Sequence, residues 1–599
     1  MNTPRPEHPR PQFERTDWLN LNGLWTYTFD FGQSGHERGF PNAQGFGNEI
    51  LVPFCPESEL SGVGHKDFIP CMWYQRKIEI PARWAGQRIL LHFGGVDYES
   101  EVFVDGLFVG RHFGGTVSFS HEITRHVRAG ATHNLVVRVR DKTRGGQQPR
   151  GKQSAAFHSR GCSYTRTTGI WQTVWLEAVA PCGLRDCHLV PDLDAGRFVL
   201  TPRFHALGNG LRLRVTATAE GEPVAQCTRS AADGLPLVLD IADPRPWSPD
   251  APFLYDLLLE VLAADGTALD TVHSYAGLRK VHIEGNRVFL NNAPVCQRLV
   301  LDQGFYPDGI WTAPSDAALK RDIELAMAAG FNGARLHQKV FEERFHYWAD
   351  RLGYLTWGES ASWGVNVNTT LGARNFLSEW REIVLRDRNH PSIIAWSPFN
   401  ETGRISEPAQ HHRLHIDAYE LTHALDPTRP VNDASGYIHV RTDLWTVHNY
   451  QQHPEKLREL LAPDADGTLW WNHKDKPGAE YAGEPYLIDE FGGTKWIPAA
   501  RASNTPDSWG YGDGPEDLEA FYRRLEGLVD AVRSHEHVCG YCYTQLTDVE
   551  QEQNGIYSYD RTEKFDMARL ARILRKTPHA YARAPSVTEP LPVGRDTEG

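Results

Sequence analysis

The spacing of apolar positions changes along the chain, and the changes divide it. Through residues 1–180, short apolar or alternating runs recur at 24–29, 73–80, 88–93, 101–110, 133–139 and 172–177, with no helical period between them. The Asp105-Gly106 pair, set between two apolar runs, predicts a hairpin. This stretch reads as a two-sheet sandwich of jelly-roll type. Residues 181–277 carry further short strands and a proline-punctuated loop, which fits a smaller immunoglobulin-like sandwich. After Gly277 the period lengthens. Leu319, Ile323, Ala326 and Met327 share one helical face that Gly330 closes, and Phe341, Phe345, Trp348 and Leu352 repeat the pattern before Gly353. Apolar runs near 295–301, 331–337, 354–358, 393–397, 431–433, 445–450, 486–490 and 538–545 alternate with helical segments. That alternation predicts a (β/α)8 barrel over residues 278–599. The loop 144–163 has no pattern and is either a surface loop or one that reaches the barrel mouth. The tail after Pro578 is expected to be loose.

Two of the barrel runs end alike. Residues 393–399 are almost wholly apolar and lead into Asn400-Glu401, and residues 486–488 lead into Asp489-Glu490. A short continuous apolar run is a strand buried on both faces. The C-terminal ends of such strands are where a (β/α)8 barrel places its chemistry. A carboxylate there once is as easily structural as functional. Twice in one barrel it matches the two-carboxyl requirement of glycoside hydrolysis.

Composition excludes several alternatives. A formal charge of −14 lacks the basic face of a nucleic-acid binder and disfavours an anionic membrane surface. No run approaches the roughly 20 apolar residues of a membrane span. No apolar leader precedes residue 16, so the expected location is cytoplasmic. Nine scattered cysteines point to reduced thiols, and the lone pair Cys539 and Cys542 reads as core before metal. No metal and no cofactor is expected. The partner is a carbohydrate, and 18 Trp and 21 Tyr supply rings for sugar faces as well as cores.

At this point the chain resembles glycoside hydrolase family 2, the three-domain exo-glycosidases that include β-galactosidases, β-glucuronidases and β-mannosidases. The likeness runs from Leu21-Asn22-Gly23-Leu24-Trp25, Trp73-Tyr74-Gln75-Arg76 and Gly169-Ile170-Trp171-Gln172 to Gly330-Phe331-Asn332-Gly333-Ala334-Arg335, Asn400-Glu401 and Asp489-Glu490-Phe491-Gly492. It implies that Glu401 is the acid/base, Glu490 the nucleophile, Asn400 the partner of the sugar 2-hydroxyl and Arg335 an arginine beneath the nucleophile. His448 or Tyr450 matches the polar group beside the nucleophile. It also implies relatives that are often dimers or tetramers, so a homo-oligomer is an open expectation. A retaining enzyme needs its carboxyls about 5–5.5 Å apart, and Glu401 is expected to hold a proton at neutral pH.

Further candidates carry double readings. Glu359 either contacts sugar or pairs with Arg335, the pair being favoured. His337 reads as a core histidine before a ligand. Asp302 and Asp308 either meet a hydroxyl or form turns. Trp396 and Tyr543 are candidates to face a sugar ring, Tyr543 standing where the family carries a tryptophan. Asp548, Glu550, Gln553 and Asn554 are either sugar contacts or a solvated loop. The histidine typical of the family's β-galactosidases is missing near Asp302, and Asn554 lacks the lysine that marks β-glucuronidases. A galactoside or arabinopyranoside is the first expectation. A glucuronide, a mannoside, transglycosylation, or a non-catalytic carbohydrate-binding role on the same fold are the alternatives.

Overall fold

The computed structural model describes residues 3–499, 507–577 and 581. The expected loose tail therefore lies, apart from Tyr581, outside the described residues. The N-terminal strands form a six-stranded and a four-stranded antiparallel sheet. Trp25, Ile50, Tyr74, Leu91, Val137 and Leu176 fill the space between them. The Asp105-Gly106 hairpin is present. Val104 pairs with Leu107, and both turn residues have positive φ, 49° and 79°, as a two-residue I′-type turn requires. The middle strands, Leu184–Asp192 to Ala268–Ala276, form facing sheets of three and four strands around Phe198, Leu200, Val215, Leu259 and Val272.

Seven parallel strands form one continuous sheet of the barrel. They are β1 (Gln297–Asp302), β2 (Gly333–Leu336), β3 (Leu355–Glu359), β4 (Ile393–Ser397), β6 (Trp445–Asn449), β7 (Tyr486–Gly492) and β8 (Val538–Thr544). The gap between β4 and β6 is filled by the short β5, Ala434–Ser435, which pairs with Phe399–Asn400. The strand expected at 431–433 is thus displaced. Only Val431 bridges to β4, through Trp396, because Asp433 is drawn away by the amides of Val440 and Arg441. Three helices bear on the site or on the sandwich: α1 (Asp316–Ala329), α2 (Glu343–Leu352) and α3 (Thr370–Asp387). The floor of the barrel is sealed by the hairpin Val281–Glu284 and Arg287–Leu290, whose Val281, Val288 and Leu290 pack on Leu299, Leu355, Ile394 and Leu487. Cys539 and Cys542 belong to this apolar core.

The domains interlock through buried polar contacts. Tyr275 Oη donates to Asp350 Oδ2 at 2.8 Å, and His390 Nδ1 lies 2.6 Å from the same oxygen. Thr116 of the first sandwich donates through Oγ1 to Glu379 of α3 at 2.5 Å.

Candidate active site

Regular strand geometry sends successive side chains to opposite faces, yet Asp489 and Glu490 both meet Arg335. A register shift in β7 between Ile488 and Phe491 explains this. A bulge re-aims one side chain and brings both carboxylates inward. Arg335 projects from β2 into the barrel with its side chain fully buried. Its guanidinium donates to Glu490 Oε1, to Ser435 Oγ and, at 3.2 Å, to Asn400 Oδ1. It also lies 3.4 Å from Glu359 and 3.6 Å from Asp489. Tyr450 Oη donates to the other oxygen of Glu490 and lies 3.1 Å from Thr544 Oγ1. The ring of Tyr450 stacks flat on Tyr511 at 3.4 Å.

Glu401 reaches the same space differently. Its backbone sits at φ 50°, a left-handed conformation rare for a side-chain-bearing residue and costing on the order of 1–3 kcal/mol. Surrounding hydrogen bonds hold it there: its amide donates to Ser435 O at 3.0 Å, and Gly403 N donates to its carbonyl at 2.9 Å. Between the two glutamates stands His448. Its Nδ1 is 2.8 Å from Glu401 Oε1 and 3.4 Å from Glu490 Oε2. Its Nε2 is 2.9 Å from Ser435 Oγ and 3.4 Å from Asp489. The ligand atoms of Glu401, His448 and Glu490 all lie within 4.8 Å of one another.

Burial disfavours charge on His448, but Glu490, Asp489 and Glu401 outweigh it and hold its pKa at about 10. Burial likewise raises Glu401, but the bond to His448, with Lys152 and Arg335 nearby, brings it below the ordinary carboxylate value. Both directions run against a proton resident on Glu401 and make the His448 imidazole, one hydrogen bond away, the more basic partner. A cavity of about 740 Å³ opens at Glu401, lined by Trp363, Asn400, Glu401, Arg404, Tyr437 and His473 among others.

Several candidates are placed elsewhere. Trp396 is wholly buried outside the barrel wall. Strand alternation turns it onto Trp380 at 5.8 Å, and its Nε1 donates to Asp426 at 2.8 Å. Tyr543 also faces outward, against Phe491 and Phe331. Asp302 accepts from Gly304 N at 2.9 Å and closes a turn. Burial and the Asp322 charge push its pKa up to about 7. Glu359 has no exposed side-chain surface. It holds His337 Nδ1 at 3.1 Å and accepts from Gln338 N at 3.0 Å, so it braces Arg335 and His337 instead of meeting sugar. Arg335 has no exposed side-chain surface and pairs with Glu490. Asp548 binds Lys564, and Glu550 accepts from Thr165 N.

Residues that sequence reasoning passed over take their places. Glu552 is buried, accepts from Tyr164 Oη at 2.5 Å and from Asn554 Nδ2 at 3.1 Å. Gln545 links Gln303 to Asn554. Trp363 Nε1 donates to Asn400 O at 3.2 Å. The loop 144–163 does reach the barrel: Arg150 N donates to Trp363 O, and Gly151 N to Ala361 O. Only loop-to-barrel contacts mark these residues, and no local pattern announces them.

Three family models match the chain: "Glycosyl hydrolases family 2, sugar binding domain" over residues 55–176, "Glycosyl hydrolases family 2" over 204–279, and "Glycosyl hydrolases family 2, TIM barrel domain" over 313–495. A β-galactosidase of Thermoanaerobacter pseudethanolicus is 25% identical over 499 residues, 78% of this chain but only 61% of that protein's length. A β-glucuronidase of Canis lupus familiaris is 25% identical over 543 residues, 80% of this chain and 79% of that one. The crystal structure of Ruminococcus gnavus β-glucuronidase superposes with a TM-score of 0.79 at 19% identity, covering 96% of this chain and 99% of that one.

Proposed function

Because the chain belongs to glycoside hydrolase family 2, we propose that it is a retaining exo-glycosidase in which Glu490 is the nucleophile and Glu401 the acid/base. The observation that carries this reading is the closeness of the two glutamates, one carboxylate oxygen of each lying within 4.8 Å of the other. So short an approach suits direct attack by one carboxylate better than the wider spacing of an inverting pair.

In this reading a Glu490 oxygen attacks the anomeric carbon as the bond to the aglycone oxygen breaks. Glu401 supplies the proton that leaves with the aglycone. His448 Nδ1 hands its proton to Glu401 Oε1 along their 2.8 Å contact, so the pair carries one proton in either arrangement. A water then enters on the aglycone side. Glu401 takes a proton from it, its oxygen bonds the anomeric carbon, and Glu490 is released as a carboxylate. Arg335 and Tyr450 keep the nucleophile aimed. Asn400, tied to Arg335 and Trp363, is set to bond the sugar 2-hydroxyl more strongly as charge builds on the ring.

A β-galactoside, or an arabinopyranoside of matching ring stereochemistry, is the first substrate reading. A β-glucuronide stands about level with it, since relatives of both kinds match this chain. The test is a panel of 4-nitrophenyl glycosides covering galactose, arabinose, glucuronic acid, mannose, glucose and fucose. Turnover of one member by the native chain, with the sugar first released in the anomeric configuration of the substrate, is the expected result. No turnover of any member, or first release of the opposite anomer, contradicts the reading.

A further inference from the structure

Lys152 comes from the N-terminal sandwich, not from the barrel. The loop that carries it passes so close to β2 that a side chain on Gly151 would lie 2.0 Å from the Gln338 carbonyl oxygen, and Gly151 has φ 55°. Glycine is required there on both counts. Anchors on either side fix the next residue. Arg150 N and Gly151 N bond the barrel loop at Trp363 and Ala361, Gln153 Nε2 donates to Asp97 at 2.7 Å, and Tyr164 N donates to Lys152 O at 2.7 Å. The ammonium so delivered lies 4.1 Å over the ring of Trp363, the residue bonded to Asn400.

Lys152 is buried, with 7% of the residue exposed. Yet among the described residues its Nζ makes no hydrogen bond and has no carboxylate within ion-pair distance. A lysine buried this far with no protein acceptor for its ammonium is uncommon in native proteins. The groups facing it are Cys162 of its own loop, Glu552 after β8, Glu490 of β7, Glu401 after β4 and His337 after β2. Burial works against its charge, but those acidic groups outweigh burial and keep it an ammonium.

We propose that Lys152 is a specificity-determining residue of this site: its ammonium binds an oxygen of the glycone, so the sandwich completes the sugar pocket. The proposal rests on the glycosidase reading. The oxygen is either a ring hydroxyl or the carboxylate of a uronide, both being acceptors that satisfy the free donors.

The test compares the native chain with Lys152→Met, which keeps the stem over Trp363, on 4-nitrophenyl galactoside, its monodeoxy analogues and 4-nitrophenyl glucuronide. The expected result is a loss of about 10²-fold in kcat/KM on the best substrate with an unchanged melting midpoint, and partial recovery in Lys152→Arg. A hydroxyl partner is identified when one deoxy analogue suffers no further loss from the substitution. A carboxylate partner is identified when the loss is confined to the glucuronide. Undiminished kcat/KM in Lys152→Met overturns this proposal alone, whereas a native chain inert on every member of the six-sugar 4-nitrophenyl panel overturns it together with the glycosidase reading. Should Lys152→Met fail to fold, acetic anhydride labelling of Lys152 in the native chain replaces it. Protection by galactose or glucuronic acid supports the proposal, and equal labelling with and without sugar overturns it.

Discussion

Glu490 is gripped from three sides, by Arg335, Tyr450 and the nearby His448, and its side chain is 6% exposed. Glu401 ends its strand in a left-handed backbone, leans on His448, and is 19% exposed at the cavity edge. The two carboxyls share a chemistry and approach within 4.8 Å, but their supports suit different work. A group clamped between a guanidinium and a phenol is aimed. A group tied to an imidazole by one hydrogen bond can gain and lose a proton without moving. Environment, not residue type, separates the roles.

The sharpest way to break that comparison is to neutralise each carboxyl in turn. Glu490→Gln is expected to lower kcat by on the order of 10⁵-fold on every leaving group, because no covalent intermediate forms without it. Glu401→Gln should cost about 10²–10⁴-fold, and least for aglycones that depart without a proton. Rates on 4-nitrophenyl and on alkyl glycosides measure both. Equal losses, independent of the leaving group, would abolish the distinction drawn here.

His448 sharpens it further. The one proton of the His448 and Glu401 pair is held up to about pH 10 by the imidazole. In His448→Gln it must stay on Glu401 alone, so the alkaline limb of kcat/KM should move to lower pH. Stability supplies a second readout. The folded pKa of His448 is raised from 6.5 to about 10, so its contribution is complete below pH 6.5 and is lost as pH rises through about 10. Denaturant unfolding of the native chain against the variant should show an advantage near pH 6 that fades by pH 10. An advantage constant with pH contradicts the assignment of charge to His448.

The smallest effect is expected from Tyr450→Phe. Arg335 still holds Glu490, and the flat stack on Tyr511 survives. One hydrogen bond to a charged group corresponds to a loss of about 10- to 100-fold in kcat/KM. A larger loss, equal to that of Glu490→Gln, would make Tyr450 more than a support.

What the chain's pattern determined by itself was periodic or local. Short, largely apolar runs placed seven barrel strands, because a strand buried on both faces leaves few polar positions. Glu401 and Glu490 were legible since each follows such a run directly. Asp105-Gly106 announced its hairpin because two adjacent residues needed positive φ. The rest depended on contacts between distant segments. Trp396 and Tyr543 face outward because strand alternation, not apolar character, sets direction, and the β7 bulge that brings Asp489 and Glu490 to one arginine leaves no mark in composition. Glu359 and Arg335 pair where neither has exposed side-chain surface. Lys152, Trp363 and Glu552 converge only once the sandwich docks on the barrel, from loops whose residues carry no period. A pattern of spacing records which face of an element is buried. It does not record which elements meet, and the proton balance at Glu401 was decided by that meeting.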